Sequence, residues 1–463
     1  MTPPAYRARL TTGIVHFGPG AFHRAHQAHY VDRLLEHDPR WGIAAVSLRS
    51  AGTVEGLRRQ DGLYTLAVLD AETSYRTIGA HNRFLGPGEG AAVRQLLGDP
   101  AIRIVSSTVT EKGYCLAGDG TLDRSHPDIV HDLATPDDPV SIVSWIALGL
   151  GDRRRAGTPA FSTLCCDNMV ANGSKLGRAV EDFAREIDPD LARWIEGEAR
   201  FPNTMVDSIT PATDDRLRAM VREASGSDDA IPVAREAFTQ WVIEDSLQQG
   251  AEQLRGAGVT FAGDVAAWEK AKLRILNGAH STLAYVGSLI GHATVYDAMC
   301  DAPLASFVER LINDDIIPGL QPSPIDLRAY AGEILQRFRN PAIEHKLSQI
   351  AWDGSQKLPY RLLDTTAAAL NSGRSVKGLA IPVAAWMHFI RRRADEGQEI
   401  VDPLRDLLVA AARSEDPVTA FLSLRQIFPA RLTDDALYAV EVRSAWNAIG
   451  QRGPEAAIAL AQA

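Results

Sequence analysis

The chain has 463 residues, 45% hydrophobic and 23% charged, which is enough for two or three domains with sizeable cores. Its 48 basic and 58 acidic residues leave a net charge of −10, a balance that argues against broad binding to nucleic acid or to anionic membranes. No apolar run reaches the roughly 18 residues a membrane helix needs, and the opening MTPPAYRARLTTG lacks the apolar core of a signal peptide.

The four cysteines, Cys115, Cys165, Cys166 and Cys300, are too few and too badly spaced for a disulfide framework or a zinc site. A reduced, cytoplasmic protein is expected.

In chain order, Gly13-Ile14-Val15-His16-Phe17 reads as a strand, followed by the turn Gly18-Pro19-Gly20 and a helix over residues 22–35. Further strands are predicted over 41–48, 102–106 and 161–165. Each ends in polar residues: Arg49-Ser50, then residues 108–112, then Asp167-Asn168. Alternating strands and helices predict an α/β fold with a parallel sheet, in which ligands sit beyond the carboxyl ends of the strands.

After about Phe238 helical patterns take over, at 238–254, 265–289, 302–316, 326–338, 381–393 and 402–412. The domain boundary is placed near Ile231-Pro232, after a Gly-, Ser- and Asp-rich segment. An N-terminal Rossmann-type dinucleotide-binding domain of residues 1–232 and a mostly α-helical substrate and catalytic domain of residues 233–463 are expected.

The stretch WEKAKLRILNGAHSTLAYVG carries the densest chemistry. On an α-helix advancing about 100° per residue, Glu269 falls at about 60° from Lys272, His280 at about 80° and Asn277 at about 140°. A carboxylate, an amine, an imidazole and an amide thus share one side of an otherwise apolar helix.

The turn after the first strand allows close backbone approach to a pyrophosphate, with His23 standing where the usual third glycine would be. The acid expected after the second strand, for the ribose hydroxyls, is missing from Ser47-Leu48-Arg49-Ser50. Arg49 would tolerate a 2′-phosphate or point to solvent. The sequence therefore leaves NAD against NADP open.

Several segments together resemble the mannitol dehydrogenase family, the polyol-specific long-chain dehydrogenases. They are the run from Gly18 to Gln27, Thr110-Glu111-Lys112-Gly113-Tyr114, Cys166-Asp167-Asn168, Met205-Val206-Asp207, the run from Lys272 to His280, and Asp353-Gly354-Ser355-Gln356-Lys357. The resemblance covers nearly the whole chain. It implies a metal-independent hydride transfer between NAD and a secondary alcohol or ketone, by a monomer or weak homodimer acting on a small sugar acid or polyol.

It further implies Lys272 as general acid/base, Asn277 and Asn168 as donors to the developing alkoxide, and His280 as a partner of the substrate hydroxyl. Glu269 becomes a proton relay and Asp207 a carboxylate that orients the substrate. The cofactor falls to Phe17, Gly18, Gly20, Ala21, Phe22, His23, Arg49, Thr110, Glu111, Lys112 and Asn168.

Two departures stand out. Position 208 is Ser, not the family's Arg, which removes any ion pair there and weakens the carry-over to Asp207. Gln349 replaces an Arg that contacts substrate hydroxyls in the polyol enzymes. The segment from Gln349 to Leu363 instead resembles the family's hexuronate branch, the fructuronate reductases. A hexuronate carries a carboxylate that wants a cation. Lys357 and Arg361 are the candidates, with Pro359 read as opening a helix so that Arg361 lies near its start. A mannitol or arabinitol 2-dehydrogenase, a tagaturonate reductase and a non-catalytic nucleotide sensor are the alternatives.

Overall fold

The computed structural model describes residues 1–461. Five strands, β1 (Thr12–Phe17), β2 (Gly42–Val46), β5 (His81–Leu85), β6 (Ile104–Ser107) and β7 (Ser162–Cys165), form a parallel sheet in the order β5-β2-β1-β6-β7. β2 is buried at every position and β1 at all but its first, as expected for a parallel sheet covered on both faces. The strand order reverses between β1 and β6, the switch point where α/β sheets open a ligand crevice. The predicted α/β class and its Rossmann-type half are therefore found.

Two small sheets complete this half. β3 (Tyr64–Leu69) lies between β4 (Ser74–Ile78) and β9 (Val233–Glu236), and β10 (Gln240–Glu244) lies between β8 (Thr204–Asp207) and β11 (Thr260–Ala262). These pairings move the expected boundary. The chain divides into compact units at Ala266/Ala267, not near Ile231-Pro232. β9 pairs with β3, and β10 with β8, so residues 233–262 are held by ladders to strands far earlier in the chain. The helix predicted over 238–254 is accordingly the strand β10 and a short helix, Ala251–Gly256.

The first helical pattern is also interrupted. α1 (Ala21–Ala25) and α2 (Gln27–Leu35) are separated at His26, whose φ −115° and ψ −88° leave the helical region.

The second unit, from Ala267 onward, is helical. Its core runs through Ile275, Ala279, Leu283, Leu358, Leu362 and Trp386. Among the described residues no helix is long and apolar enough to cross a membrane.

Burial around β1 has a consequence for stability. Desolvation lowers the imidazoles of His16 and His29 to about 3 and holds those of His23 and His81 well below the ordinary histidine range. Unfolded imidazoles titrate near about 6.5, so protons favour the unfolded chain. This contribution to stability is whole above about pH 6.5 and is lost as pH falls toward about 3. Each imidazole forfeits about 1.4 kcal/mol per pH unit within that window. Unfolding followed at pH 6.5 and pH 5 is expected to show a smaller loss of stability in His29→Leu than in the parent, by up to about 2 kcal/mol. Equal losses in both would contradict a neutral buried His29.

Candidate active site

At the carboxyl ends of β1 and β6 a pocket of about 540 Å³ is lined by Gly18, Leu48, Arg49, Thr110, Lys112 and Gly113, among others. Gly18 sits at φ +85°, and a Cβ there would lie 2.2 Å from the carbonyl oxygen of Thr108. Only glycine fits such an approach. A Cβ on Gly20 would meet nothing closer than the Gly18 carbonyl oxygen at 3.9 Å, so open space lies beside this backbone. A turn stripped of side chains next to an open pocket fits a dinucleotide pyrophosphate.

The turn is held from beneath. His16 bonds Ser106 Oγ at 2.8 Å, and its Nε2 lies 3.0 Å from Thr108 Oγ1 and 3.3 Å from the Gly18 carbonyl oxygen. Thr108 Oγ1 itself donates to that carbonyl at 2.7 Å. The buried Arg24 donates from Nε to the Pro19 carbonyl at 3.3 Å, and its Nη1 reaches the Ile231 carbonyl.

His23 stacks on His16 with ring centroids 3.4 Å apart, and its Nε2 lies 3.0 Å from that of His81. The side chain of His23, expected with the cofactor residues, is thus turned into the interior. Phe17 is likewise fully buried in β1. At both positions the backbone is what remains for a ligand. Ala21 and Phe22 are half-buried at the start of α1, where no side chain caps the helix.

Thr110, Glu111 and Lys112 are exposed on the loop after β6, and Thr110 adopts φ +70°. Asp167 fixes that loop: one carboxylate oxygen accepts from Val109 N at 2.9 Å and from Tyr114 Oη at 2.6 Å. Asn168, next to it, is exposed. The turn carrying Asn168 is braced by Asn172, whose Nδ2 donates to the carbonyls of Cys165, Asp167 and Thr204 at 3.0–3.1 Å. Sequence reasoning passed over Asn172; an Asn opening the helix Asn172–Ile187 was the available signal.

Asp207 ends β8 and is buried opposite Gln240 of β10. Ser208, in place of the family's Arg, turns its hydroxyl to the Phe238 carbonyl at 3.0 Å.

The loop after β6 also brings Cys115, His126 and Asp128 within 4.8 Å of one another. Cysteine spacing gave no hint of this grouping. Asp128 there already accepts from the Arg49 guanidinium.

In the second unit the helix of interest is not a plain α-helix. Val265–Ala271 is α, Lys272–Leu276 is a π segment, Asn277–Thr282 is α, and a second π segment follows at Leu283–Gly287. The Asn277 N–H donates to the Lys272 carbonyl, an i→i+5 bond. Such π turns concentrate at functional sites. This one closes a wider turn between Lys272 and Asn277, so the 140° separation computed for an α-helix no longer applies, and the two residues sit one above the other. Glu269, Lys272 and Asn277 are half-buried, and His280 is buried.

Among the described residues His280 Nε2 has no hydrogen-bond partner. Its ring lies 4.6 Å from Phe338 and 5.0 Å from His345, centroid to centroid. Desolvation, then His345, Arg361 and Arg337, hold its pKa well below the usual range, so it is neutral at working pH.

The segment bearing Lys357 and Arg361 corrects a second expectation. The helix opens at Gly354 and runs through a π segment, Pro359–Leu363, into Asp364–Asn371. Pro359 is therefore interior. It has no N–H to give to the preceding turn, and its ring crowds the carbonyl four residues back. A π turn starts at the proline, with Asp364 N–H donating to the Pro359 carbonyl.

Arg361 Nη1 donates to Ser281 Oγ at 3.1 Å, one residue past His280. A Cβ on Gly278 would lie 3.0 Å from the Arg361 carbonyl oxygen, so the two helices cross closely there. Burial lowers the pKa of Arg361, while burial and then Arg361 lower that of Lys357. Arg361, Lys357 and His280 are thus brought together. Gln349 is exposed on the short helix Leu347–Ile350.

Comparison with known proteins places these features in a family. Residues 12–256 match the mannitol dehydrogenase Rossmann domain and residues 264–450 the mannitol dehydrogenase C-terminal domain. The chain is 40% identical to a D-mannonate oxidoreductase of Escherichia coli, over 98% of this chain and 96% of that one. It superposes on a substrate-free D-sorbitol dehydrogenase with a TM-score of 0.92 at 34% identity, covering 98% and 96% of the two chains. For a Pseudomonas fluorescens mannitol 2-dehydrogenase in ternary complex with NAD and D-mannitol the TM-score is 0.81, again at 34% identity, over 98% and 95%.

Gly18→Ala is expected to lose about 1–3 kcal/mol of stability to backbone strain and contact with Thr108, and to weaken NADH binding at least about tenfold. Calorimetric melting and fluorescence titration with NADH read the two effects. Unchanged binding would remove the turn from the cofactor site.

Proposed function

The chain belongs to the mannitol dehydrogenase family, and from that premise we propose that it is an NAD-dependent reductase of a sugar acid, converting D-fructuronate to D-mannonate or running the reverse oxidation. Bound nicotinamide supplies or accepts the hydride at the substrate carbon. Lys272 gives its ammonium proton to the ketone oxygen as the carbonyl is reduced, and takes it back in the oxidation. Asn277 and, by its match to the family motif, Asn168 donate to the oxygen as charge develops on it. Neutral His280 holds a substrate hydroxyl through the Nε2 that has no partner among the described residues. Glu269, one turn before Lys272, relays the proton, and Asp207 orients the sugar.

One observation carries the choice of an acid over a neutral polyol. Arg361 is mostly withdrawn from water beside His280, with the neutral Ser281 hydroxyl as a hydrogen-bond acceptor, and its charge opposes that of Lys357, which Asp353 and Asp402 support from the other side. Desolvating cations costs free energy unless charge returns to them. A carboxylate returns it with paired, charge-assisted hydrogen bonds, which a hydroxyl cannot match. Arg361, with Lys357, is accordingly assigned to the hexuronate carboxylate, and the loss of the family's Arg at Gln349 removes a contact suited to polyols.

NADH oxidation with fructuronate, tagaturonate and fructose side by side tests the reading, with fructuronate expected to be the fastest. Lys272→Ala is expected to lower kcat by about 10²–10⁴, and substantial residual activity would refute its role.

Arg361→Ala is expected to raise KM for fructuronate about 10- to 100-fold, the worth of a charged hydrogen bond, while sparing fructose. An equal effect on both sugars would sink the carboxylate assignment. Faster turnover of fructose than of either keto acid would favour a mannitol-type 2-dehydrogenase.

A further inference from the structure

The sequence after β2, Ser47-Leu48-Arg49-Ser50, has no carboxylate where dinucleotide folds keep one for the adenosine ribose. The fold brings one from elsewhere. Asp128 lies in the first turn of the helix Pro127–Ala134, 79 residues beyond Arg49, and its Oδ2 accepts from the Arg49 guanidinium. Its backbone N–H donates to His126 Nδ1 at 3.2 Å, which fixes the carboxylate's position on the helix.

Both residues border ligand-sized space. Arg49 lines the pocket that reaches Gly18, and Arg49 and Asp128 together line an adjoining pocket of about 570 Å³. Leu48 and Val140 are common to the two, so the space runs on from the glycine turn to the ion pair. The Arg49 side chain is 72% exposed and that of Asp128 22%. The cation faces solvent while the anion is held in place.

Resting on the dinucleotide reading above, we propose that Asp128 selects the cofactor, accepting the adenosine ribose hydroxyls of NAD(H) and turning away the 2′-phosphate of NADP(H). The electrostatics run in one direction. Ribose hydroxyls are neutral donors and suit a fixed carboxylate. A phosphate monoester brings close to two negative charges; of the cations lining the Asp128 pocket, Arg49 is already paired with Asp128 and Arg94 with Asp137 and Asp152. Removing the carboxylate's charge reverses both terms: the ribose loses an ionised acceptor, and Arg49 is freed to fork onto the phosphate.

Binding of NADH and of NADPH to the full chain, by fluorescence titration without sugar, tests this apart from any choice of substrate. The parent is expected to bind NADH at least about tenfold tighter than NADPH. Asp128→Asn is expected to tighten NADPH about tenfold or more while weakening NADH a few-fold. Asp128→Glu should keep the parent's preference, and adding Arg49→Ala to Asp128→Asn should remove the NADPH gain. Thermal melting of each variant shows that it is folded. A parent without preference, or an Asp128→Asn chain in which both dinucleotides shift by the same factor, overturns the proposal. Binding of neither dinucleotide to the folded parent would overturn the dinucleotide reading itself, and the selection proposal with it.

Discussion

Where β1 and β6 end side by side, Gly18 lies so close to Thr108 that nothing larger than hydrogen fits. Much of this half of the molecule is arranged to make that contact possible. The turn has to leave β1 at a positive φ, so it cannot be stabilised by side chains of its own. Its support comes from below, through His16 and Thr108 on the Gly18 carbonyl and Arg24 on the Pro19 carbonyl. His16, His23 and His81 stay neutral, with His16 stacked on His23 and His23 joined to His81 through their Nε2 atoms, so no buried charge is left for a low-dielectric interior to penalise. The histidine-rich motif after the turn is thus largely scaffold. These rings are only partly satisfied: His16 has partners on both nitrogens, while Nδ1 of His23 and of His81 has none among the described residues.

How far the sequence could be read depends on the range of the forces involved. β1, β2, β6 and β7 were legible because a strand buried on both faces is a short continuous apolar run, and the glycine turn was legible because its chemistry is local. The boundary at 266/267 was not, because β9 and β10 are fixed by ladders to β3 and β8, and no local pattern records a distant partner. Asp128 was hidden for the same reason, 79 residues from the arginine it meets. The break at His26 was missed because the apolar pattern continues in phase on both sides of it.

The π turns show a subtler limit. An α-helical wheel assumes a fixed 100° per residue, and on that wheel Lys272 and Asn277 belong together only loosely. The chain instead spends one extra residue between them, closing the wider turn with the Asn277 N–H on the Lys272 carbonyl. At Pro359 the same device has a visible cause, since a proline inside a helix must lose one hydrogen bond and displace one carbonyl. Lys272–Leu276 contains no proline. Its widened turn lies between two residues of the candidate site, which is where such bulges are retained despite their cost.

The proposed carboxylate site in the second unit rests on burial. A cation left in water gains little from a carboxylate ligand, because solvent already satisfies it. Arg361 has lost most of that solvent, and the Ser281 hydroxyl restores only part of what water gave. Arg361 in turn makes it costlier for Lys357 to hold its charge, against the pull of Asp353 and Asp402. Neutral His280 adds no third charge, because protonating it would cost more than its buried site returns. On the proposed reading, an anion would gain more from this pair of cations than a neutral sugar does. Selectivity of this kind needs no carboxylate-shaped pocket visible in the sequence. It rests on two cations on one helix, on either side of Pro359, and on a neighbouring helix that crosses closely at Gly278.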